Sequence, residues 1–219
     1  NLEQGQPRER LLWQKCRDVS LEKLKVLYKR LNVEFESYRG ESDYEQALPK
    51  VLQEIKSKGI AKISDGALIV DLQAQGIDTP CMLQKSDGAT LYATRDFAAA
   101  QYRFQTYHFD LGAYVVDAGQ SLHFKQLFAV LNAMEYPWAQ NMKHVPFGVL
   151  LMWDETTHAW HKGKTRTGHV VLLENVLDEV KQRILSIIDQ RNPDLNQKAE
   201  IAEAIGVGAV VFNDLKNKR

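Results

Sequence analysis

Apolar positions along the first third of the chain recur mostly at helical spacing. From Glu9 the residues Leu12, Trp13 and Cys16 share one face; the pattern lapses near Asp18 and resumes after Ser20 as Leu21, Leu24, Leu27, Tyr28 and Leu31, which predicts two helices. Lys23 stands where a capping box would need an acid. Val33 and Phe35 alternate with polar neighbours while Tyr38 falls out of phase, so this stretch reads as a short strand or an extended connection into the Gly40-Glu41-Ser42 loop. Leu48 to Lys58 returns to helical period and stops at Gly59, a C-terminal cap by residue type. Two short apolar runs follow, Ala67 to Leu72 and Cys81 to Gln84, separated by a long polar turn. They predict an antiparallel pair.

The stretch from Thr90 to Val130 changes period twice. Asp96 to Arg103 is rich in alanine and helix-favouring residues, with Thr94 as its expected cap and Asp96 in its first turn. Ala113 to Val116 is then apolar and β-branched, Asp117-Ala118-Gly119 is a turn, and Leu122, Gln126, Leu127, Val130 and Leu131 restore a helical face. Strand, tight turn and helix make half of a nucleotide fold. In open α/β sheets ligands collect at the carboxyl ends of strands, against helix N-termini, which places Gln120 and His123 where a ligand belongs.

Val145 to Leu151 is largely apolar, Trp153 to Thr167 is polar and aromatic, and the chain from Leu173 onward is helical. A chain of 219 residues suits one sizeable core or a core with an appendage. Lysine plus arginine equals aspartate plus glutamate at 28 each, so any grip on nucleic acid must come from a local patch. Cys16 and Cys81 lie far apart without a C-x-x-C pattern, which argues against a zinc site or disulfide framework and suits a reducing, cytoplasmic setting. There is no run of membrane-spanning length and no signal peptide. The chain opens on Asn1, as a processed or excised fragment would.

Asp96 is the sharpest chemical candidate, because a guanidinium fork presents paired N–H donors to two carboxylate oxygens; the plainer reading is that it charges its helix N-terminus. Tyr92, four residues earlier, could close a polar pocket or simply pack. His123 opens a helix, where a lone histidine is commonly structural. Gly163-Lys164-Thr165 is not a P-loop, since His158 stands where the first glycine is needed. Gly206-Val207-Gly208 follows a helix rather than a strand and reads as a helix junction. His158 and His161 could share a helical face but have no acidic or thiol partners at metal-ligand spacing.

Tyr92-Ala93-Thr94-Arg95-Asp96, followed by Gln120-Ser121-Leu122-His123-Phe124, resembles the catalytic domain of class I arginyl-tRNA synthetases. Similar text begins near Leu21 and runs through Ser64-Asp65-Gly66-Ala67, Val145-Pro146-Phe147-Gly148, Gly163 to Leu173 and Ile205-Gly206-Val207-Gly208-Ala209-Val210. Order and spacing carry the resemblance. It implies arginine binding by Tyr92, Asp96 and Gln120, nucleotide contacts from Gly119 and His123, and Lys164 and Arg166 in a divergent K-M-S-K-S loop that acts on the triphosphate of ATP. Magnesium accompanies those phosphates, and no bound metal site is expected.

The implied fold is α/β: the second half of a class I Rossmann-like nucleotide-binding domain, with a helical and antiparallel insertion before it and helices after it. The expected divisions are 1–85 for the insertion, 86–173 for the Rossmann-like half, and 174–219 for helices leading toward an anticodon-binding domain. The implied parent is a monomeric cytoplasmic ligase that activates arginine with ATP and charges arginine tRNA. H-I-G-H is found nowhere in the sequence, the only Gly-His pair being Gly168-His169, so this fragment alone is expected to be inactive. The alternative is a non-catalytic nucleotide-fold or RNA-binding module.

Overall fold

The computed structural model describes residues 6–148, 151–154, 157–162 and 171–216. In chain order its helices and strands are α1 (Pro7–Arg30), α2 (Leu48–Ser57), β1 (Ala61–Ser64), β2 (Ala67–Val70), β3 (Cys81–Gln84), α3 (Tyr92–Tyr107), β4 (Gly112–Asp117), α4 (Ser121–Ala133), β5 (Met142–Phe147), β6 (Leu151–Asp154), β7 (Ala159–Lys162), α5 (Leu173–Arg191) and α6 (Lys198–Leu215). The chain divides into two units, Tyr38–Leu150 and the combination of Asn1–Ser37 with Leu151–Lys218.

The Tyr38–Leu150 unit holds the main core and the candidate site. Strands β1, β2 and β3 form an antiparallel sheet in that order, so the expected pair gains a third strand. β1 alternates apolar and polar over only four residues, Ala61-Lys62-Ile63-Ser64, and most of it, Ile63 included, is exposed, so its pattern is the shortest that can signal a strand. β4 and β5 pair in parallel from Gly112 against Met142 to Asp117 against Phe147, joined through α4 as a β-α-β unit. Phe97, Leu83, Leu127 and Leu131, all fully buried, lie at the centre of a core that reaches from Ile55 on α2 to Met142 on β5. α2 ends at Ser57, and Gly59 just beyond its Lys58 cap takes a φ of +69°, which suits glycine as expected.

Two hydroxyl side chains expected at helix starts lie inside helices instead. α1 runs unbroken through Asp18 and Ser20, and the Ser20 hydroxyl donates 2.7 Å to the Cys16 carbonyl one turn back instead of capping a helix start. α3 begins at Tyr92 with Leu91 before it, so Thr94 is no cap and Asp96 falls beyond the first turn. The Thr94 hydroxyl, fully buried, donates 2.6 Å to the Leu83 carbonyl of β3. Val33 to Tyr38 forms no strand.

In the other unit, β6 and β7 form an antiparallel pair and α5 packs along α6. His161 lies on β7 and His158 in the preceding turn, so the two do not share a helical face. α6 is continuous through Gly206 and Gly208 rather than broken at a junction. A Cβ on Gly206 would lie 3.4 Å from the Lys181 backbone nitrogen; glycine there lets α6 approach α5 closely. Arg30 of α1 donates 2.9 Å to Glu203 of α6 and pairs with Asp178 of α5 at 2.9 Å, while Lys181 reaches Glu203 at 3.1 Å. The remaining described portion of the basic terminus is Lys216, since residues 217–219 lie outside the described residues.

Two outcomes test this arrangement. Thr94→Val should cost about 0.5–1.5 kcal/mol, the net worth of one hydrogen bond, because the Leu83 carbonyl still accepts the Leu91 N–H at 3.3 Å. Leu83→Ala should cost about 2–5 kcal/mol through its cavity. Urea denaturation giving the reverse order would show that the hydroxyl, and not the packing, secures α3. In the second unit, the hydrogen bond from Arg30, helped by Lys181, holds the Glu203 carboxyl below its ordinary range. A depressed folded pKa gives stability that is present above the unfolded value and lost as pH falls through the folded one. Glu203→Gln should therefore weaken the unit at neutral pH and draw level with the parent as pH drops below the ordinary glutamate value of 4.5. A pH-independent difference in circular dichroism melts would refute the linkage.

Candidate functional site

The turn between β4 and α4 is built by its own side chains. The Asp117 carboxylate accepts the Gly119 N–H at 2.8 Å and the Ser121 hydroxyl donates 2.6 Å to the Ala118 carbonyl, so the chain leaves the strand and enters the helix within a few residues. A Cβ on Gly119 would sit 2.6 Å from the Asp117 Oδ1 atom. Any larger residue must push that carboxylate off the N–H it satisfies. Gln120 is exposed immediately before α4, and His123 lies in the first turn of α4. This is the carboxyl end of the parallel pair, where helix N–H groups point outward.

α3 brings the second half of the site to the same place. Tyr92 and Asp96, four residues apart, share one face of the helix, and the Asp96 Oδ2 atom lies 2.6 Å from His123 Nε2. A carboxylate accepts only, so the imidazole N–H at Nε2 is the donor. His123 is 8% exposed and Asp96 29%, which puts the imidazole behind the carboxylate and leaves the acid the more open partner. The Tyr92 ring, largely exposed, meets His123 edge to face with centroids 4.8 Å apart. Phe124 closes the other side and stacks at 4.6 Å on His144 of β5; His144 Nε2 in turn is 3.0 Å from the Val116 carbonyl of β4. Gln126, also buried, donates 2.8 Å to the Thr79 carbonyl and anchors α4 to the loop before β3.

Arg103 and Tyr114, both partly buried, form a charged margin to this cluster. The guanidinium carbon lies 5.1 Å from the Tyr114 ring centroid, and the Tyr114 hydroxyl is buried with no partner of hydrogen-bond geometry among the described residues. Arg103 acts on the tyrosine as a charge over its ring. Burial works against the Arg103 charge, but Tyr114, Tyr44 and Asp96 together hold its pKa above the ordinary value. Burial also raises the Tyr114 phenol, against the opposing pull of Arg103.

The sequence-predicted residues thus fall into three groups. His123 touches both Tyr92 and Asp96; Gly119 and Gln120 occupy the turn that feeds α4; Lys164 and Arg166, with the loop that carries them, lie outside the described residues. Among the described residues there is no cluster of three or more His, Cys, Asp or Glu side chains that could hold a metal ion, and no helix is long and apolar enough to cross a membrane.

Comparison with known proteins gives this geometry its context. The family model for class I tRNA synthetases (R), catalytic domain, matches residues 1–219. The chain belongs to this family. An arginine–tRNA ligase of Ligilactobacillus salivarius is 46% identical over 218 residues, which are 100% of this chain and 38% of that relative. One from Clostridium botulinum (strain Langeland) is 45% identical over 219 residues, again 38% of its length. The chain therefore spans well under half of these curated relatives. Among solved structures, an arginyl-tRNA synthetase from Plasmodium falciparum superposes with a TM-score of 0.82 at 25% identity, covering 100% of this chain and 36% of that one. The Thermus thermophilus arginyl-tRNA synthetase shares the fold at a TM-score of 0.66 and 18% identity, over 96% of this chain and 43% of that one. The β4-α4-β5 unit is the parallel part of a class I Rossmann-like domain.

The aspartate–histidine pairing is what sequence reasoning missed. Asp96 and His123 are separated by 27 positions, and a histidine placed in a helix's first turn signals an anion site as readily as an internal partner. Tyr114 and Arg103 were missed as well, because each looks like an ordinary amphipathic residue at the margin of a core.

Proposed function

We propose that this chain carries the arginine-selecting part of the active site of an arginine–tRNA ligase, an enzyme that condenses arginine with ATP and transfers the arginyl group to its tRNA. The observation that supports it most is the partly open Asp96 carboxylate, backed by buried His123 and flanked by Tyr92, at the carboxyl end of a parallel strand pair. A carboxylate so placed pairs with a guanidinium through charge and paired hydrogen bonds together. Tyr92 walls the arginine side chain and Gln120 binds from the α4 turn. Gly119 and His123 border the nucleotide, and Lys164 and Arg166 face the ATP phosphates as general electrostatic catalysts.

The reaction needs positioning and charge stabilisation, not a covalent enzyme intermediate. The arginine carboxylate attacks the α-phosphorus, the bond to pyrophosphate breaks, and arginyl adenylate forms. Negative charge moves onto the departing pyrophosphate, where Lys164 and Arg166 would meet it; a well-placed donor in such a role is worth about 2.7–4 kcal/mol. Magnesium would accompany the ATP triphosphate and help neutralise its charge. We place the parent ligase in the cytoplasm as a monomer, with residues 1–85 as an insertion, 86–173 as the Rossmann-like half and 174–219 leading toward the anticodon-binding domain. Because H-I-G-H occurs nowhere in these 219 residues, this chain by itself should give background pyrophosphate exchange.

The test is Asp96→Ala in the full-length ligase. Its kcat/KM for arginine should fall by about 10⁴ to 10⁵, the discrimination reached by a site built to hydrogen-bond a polar group, while the KM for ATP stays within a few-fold. The parent should bind arginine and reject citrulline, which lacks the charge. Near-normal arginine kinetics in the variant would defeat the assignment.

A further inference from the structure

We propose that His123 is a positioning residue for Asp96, and that its protonation state switches the pocket between open and closed to a guanidinium. The proposal rests on the arginine-site reading above and deepens it. Three observations carry it. His123 Nε2 lies 2.6 Å from Asp96 Oδ2; the imidazole is 8% exposed against 29% for the carboxylate; and the ring is held between Tyr92 at 4.8 Å and Phe124 at 5.1 Å, both edge to face. A ring so confined has little freedom to turn away from the carboxylate, and Phe124 is itself fixed by stacking on His144.

The two protonation states act oppositely on a cationic ligand. A neutral imidazole donates its N–H to one carboxylate oxygen and leaves the pair with a net charge of one unit negative. The carboxylate is then oriented without being neutralised, and a guanidinium entering from the open side finds a complementary charge. A protonated imidazole makes the pair a closed zwitterion. The incoming guanidinium must compete with an imidazolium already in contact, in a partly desolvated place where like charges repel more strongly than in water.

The surrounding charged and titratable groups do not supply an equivalent switch. From α3 the ring meets Tyr92 and Asp96, and further along that helix Arg103 feels the Asp96 charge. From β4 Tyr114 packs on Phe124, and from β5 His144 stacks on the same ring. Imidazole is the side chain whose charge ordinarily changes between about pH 5 and 8, so His144 is the competing candidate. It is separated from Asp96 by Phe124 and His123, and its Nε2 is directed at the Val116 carbonyl.

The experiment is the pH dependence of arginine binding in the full-length ligase, with three variants. In the parent the KM for arginine should rise on acidification, by up to about tenfold per pH unit. His123→Gln keeps an N–H donor near the Nε2 position and cannot titrate: it should retain arginine binding near neutral pH and flatten the profile. His123→Ala should raise the arginine KM by about 10- to 100-fold, the effect of losing a hydrogen bond to a charged group. His144→Gln should leave the profile intact. A His123→Gln enzyme with the parental profile, or a His123→Ala enzyme with unchanged arginine KM, would overturn the proposal. Asp96→Asn separates the two readings: if it binds arginine as the parent does, the arginine-site assignment itself fails, whereas loss of arginine in Asp96→Asn beside unaffected His123 variants refutes only the switch.

Discussion

The site depends on one constraint, the wedging of α3 between β3 and α4. Thr94 and Phe97, three residues apart, are both fully buried and so lie on the inward face of α3; the first is hydrogen-bonded to β3 and the second fills the core. Burying a phenylalanine contributes about 1.5–3 kcal/mol, enough with its alanine neighbours to hold the helix in one rotation. Tyr92 and Asp96 share the face next to that anchored one. On α4, Leu127 is fully buried four residues after His123 and fixes the other partner in the same way. Two helices far apart in sequence thus present an acid and an imidazole at bonding distance because apolar residues beside each set the register.

Much of the fold was legible because the chain announces it by changes of period. The apolar, β-branched run from Ala113 to Val116, the Asp-Ala-Gly turn and the return to helical spacing mark β4 and α4 without help from tertiary structure. The errors share a physical origin. Ser20 and Thr94 both looked like helix starts, since short hydroxyl side chains commonly satisfy the exposed N–H groups of a first turn. Both instead donate to carbonyls, Ser20 within its own helix and Thr94 across to a strand. Gly206 looked like a breaker and is a contact: the absence of a side chain matters to α5, not to the local backbone. Strand β1 was missed because its alternation lasts only four residues, Ala61 to Ser64, and its apolar Ile63 is exposed.

The site was legible in its residue types but not in its assembly. A carboxylate at a helix face and residues after a strand end both point to ligand chemistry, and the family relationship places them in one domain. What no local pattern gives is which polar groups use one another. Asp96 could have opposed Arg103 on its own helix, seven residues and about 10 Å along the axis. The structure turns Arg103 over the Tyr114 ring instead, while a buried imidazole takes the near side of the acid. Such choices are made by packing, and they decide whether a charge is spent internally or kept for a ligand.

That distinction explains why an imidazole suits this position. A pocket that selects a cation must keep a carboxylate ionised and oriented while avoiding a permanent internal cation in contact with it. A lysine or arginine at position 123 would orient Asp96 but neutralise it. An aliphatic residue would preserve the charge and leave the carboxylate free to rotate, half desolvated and lacking one hydrogen bond. Neutral imidazole gives the orientation without the charge, and its flat ring fits between Tyr92 and Phe124 where a flexible side chain would lose more rotamer freedom. Arg103 contributes from further away, its charge held over an aromatic face and felt by Asp96 without pairing to it. The Asp96 carboxylate therefore keeps its more open side for a ligand, while the guanidinium of Arg103 is engaged over the Tyr114 ring.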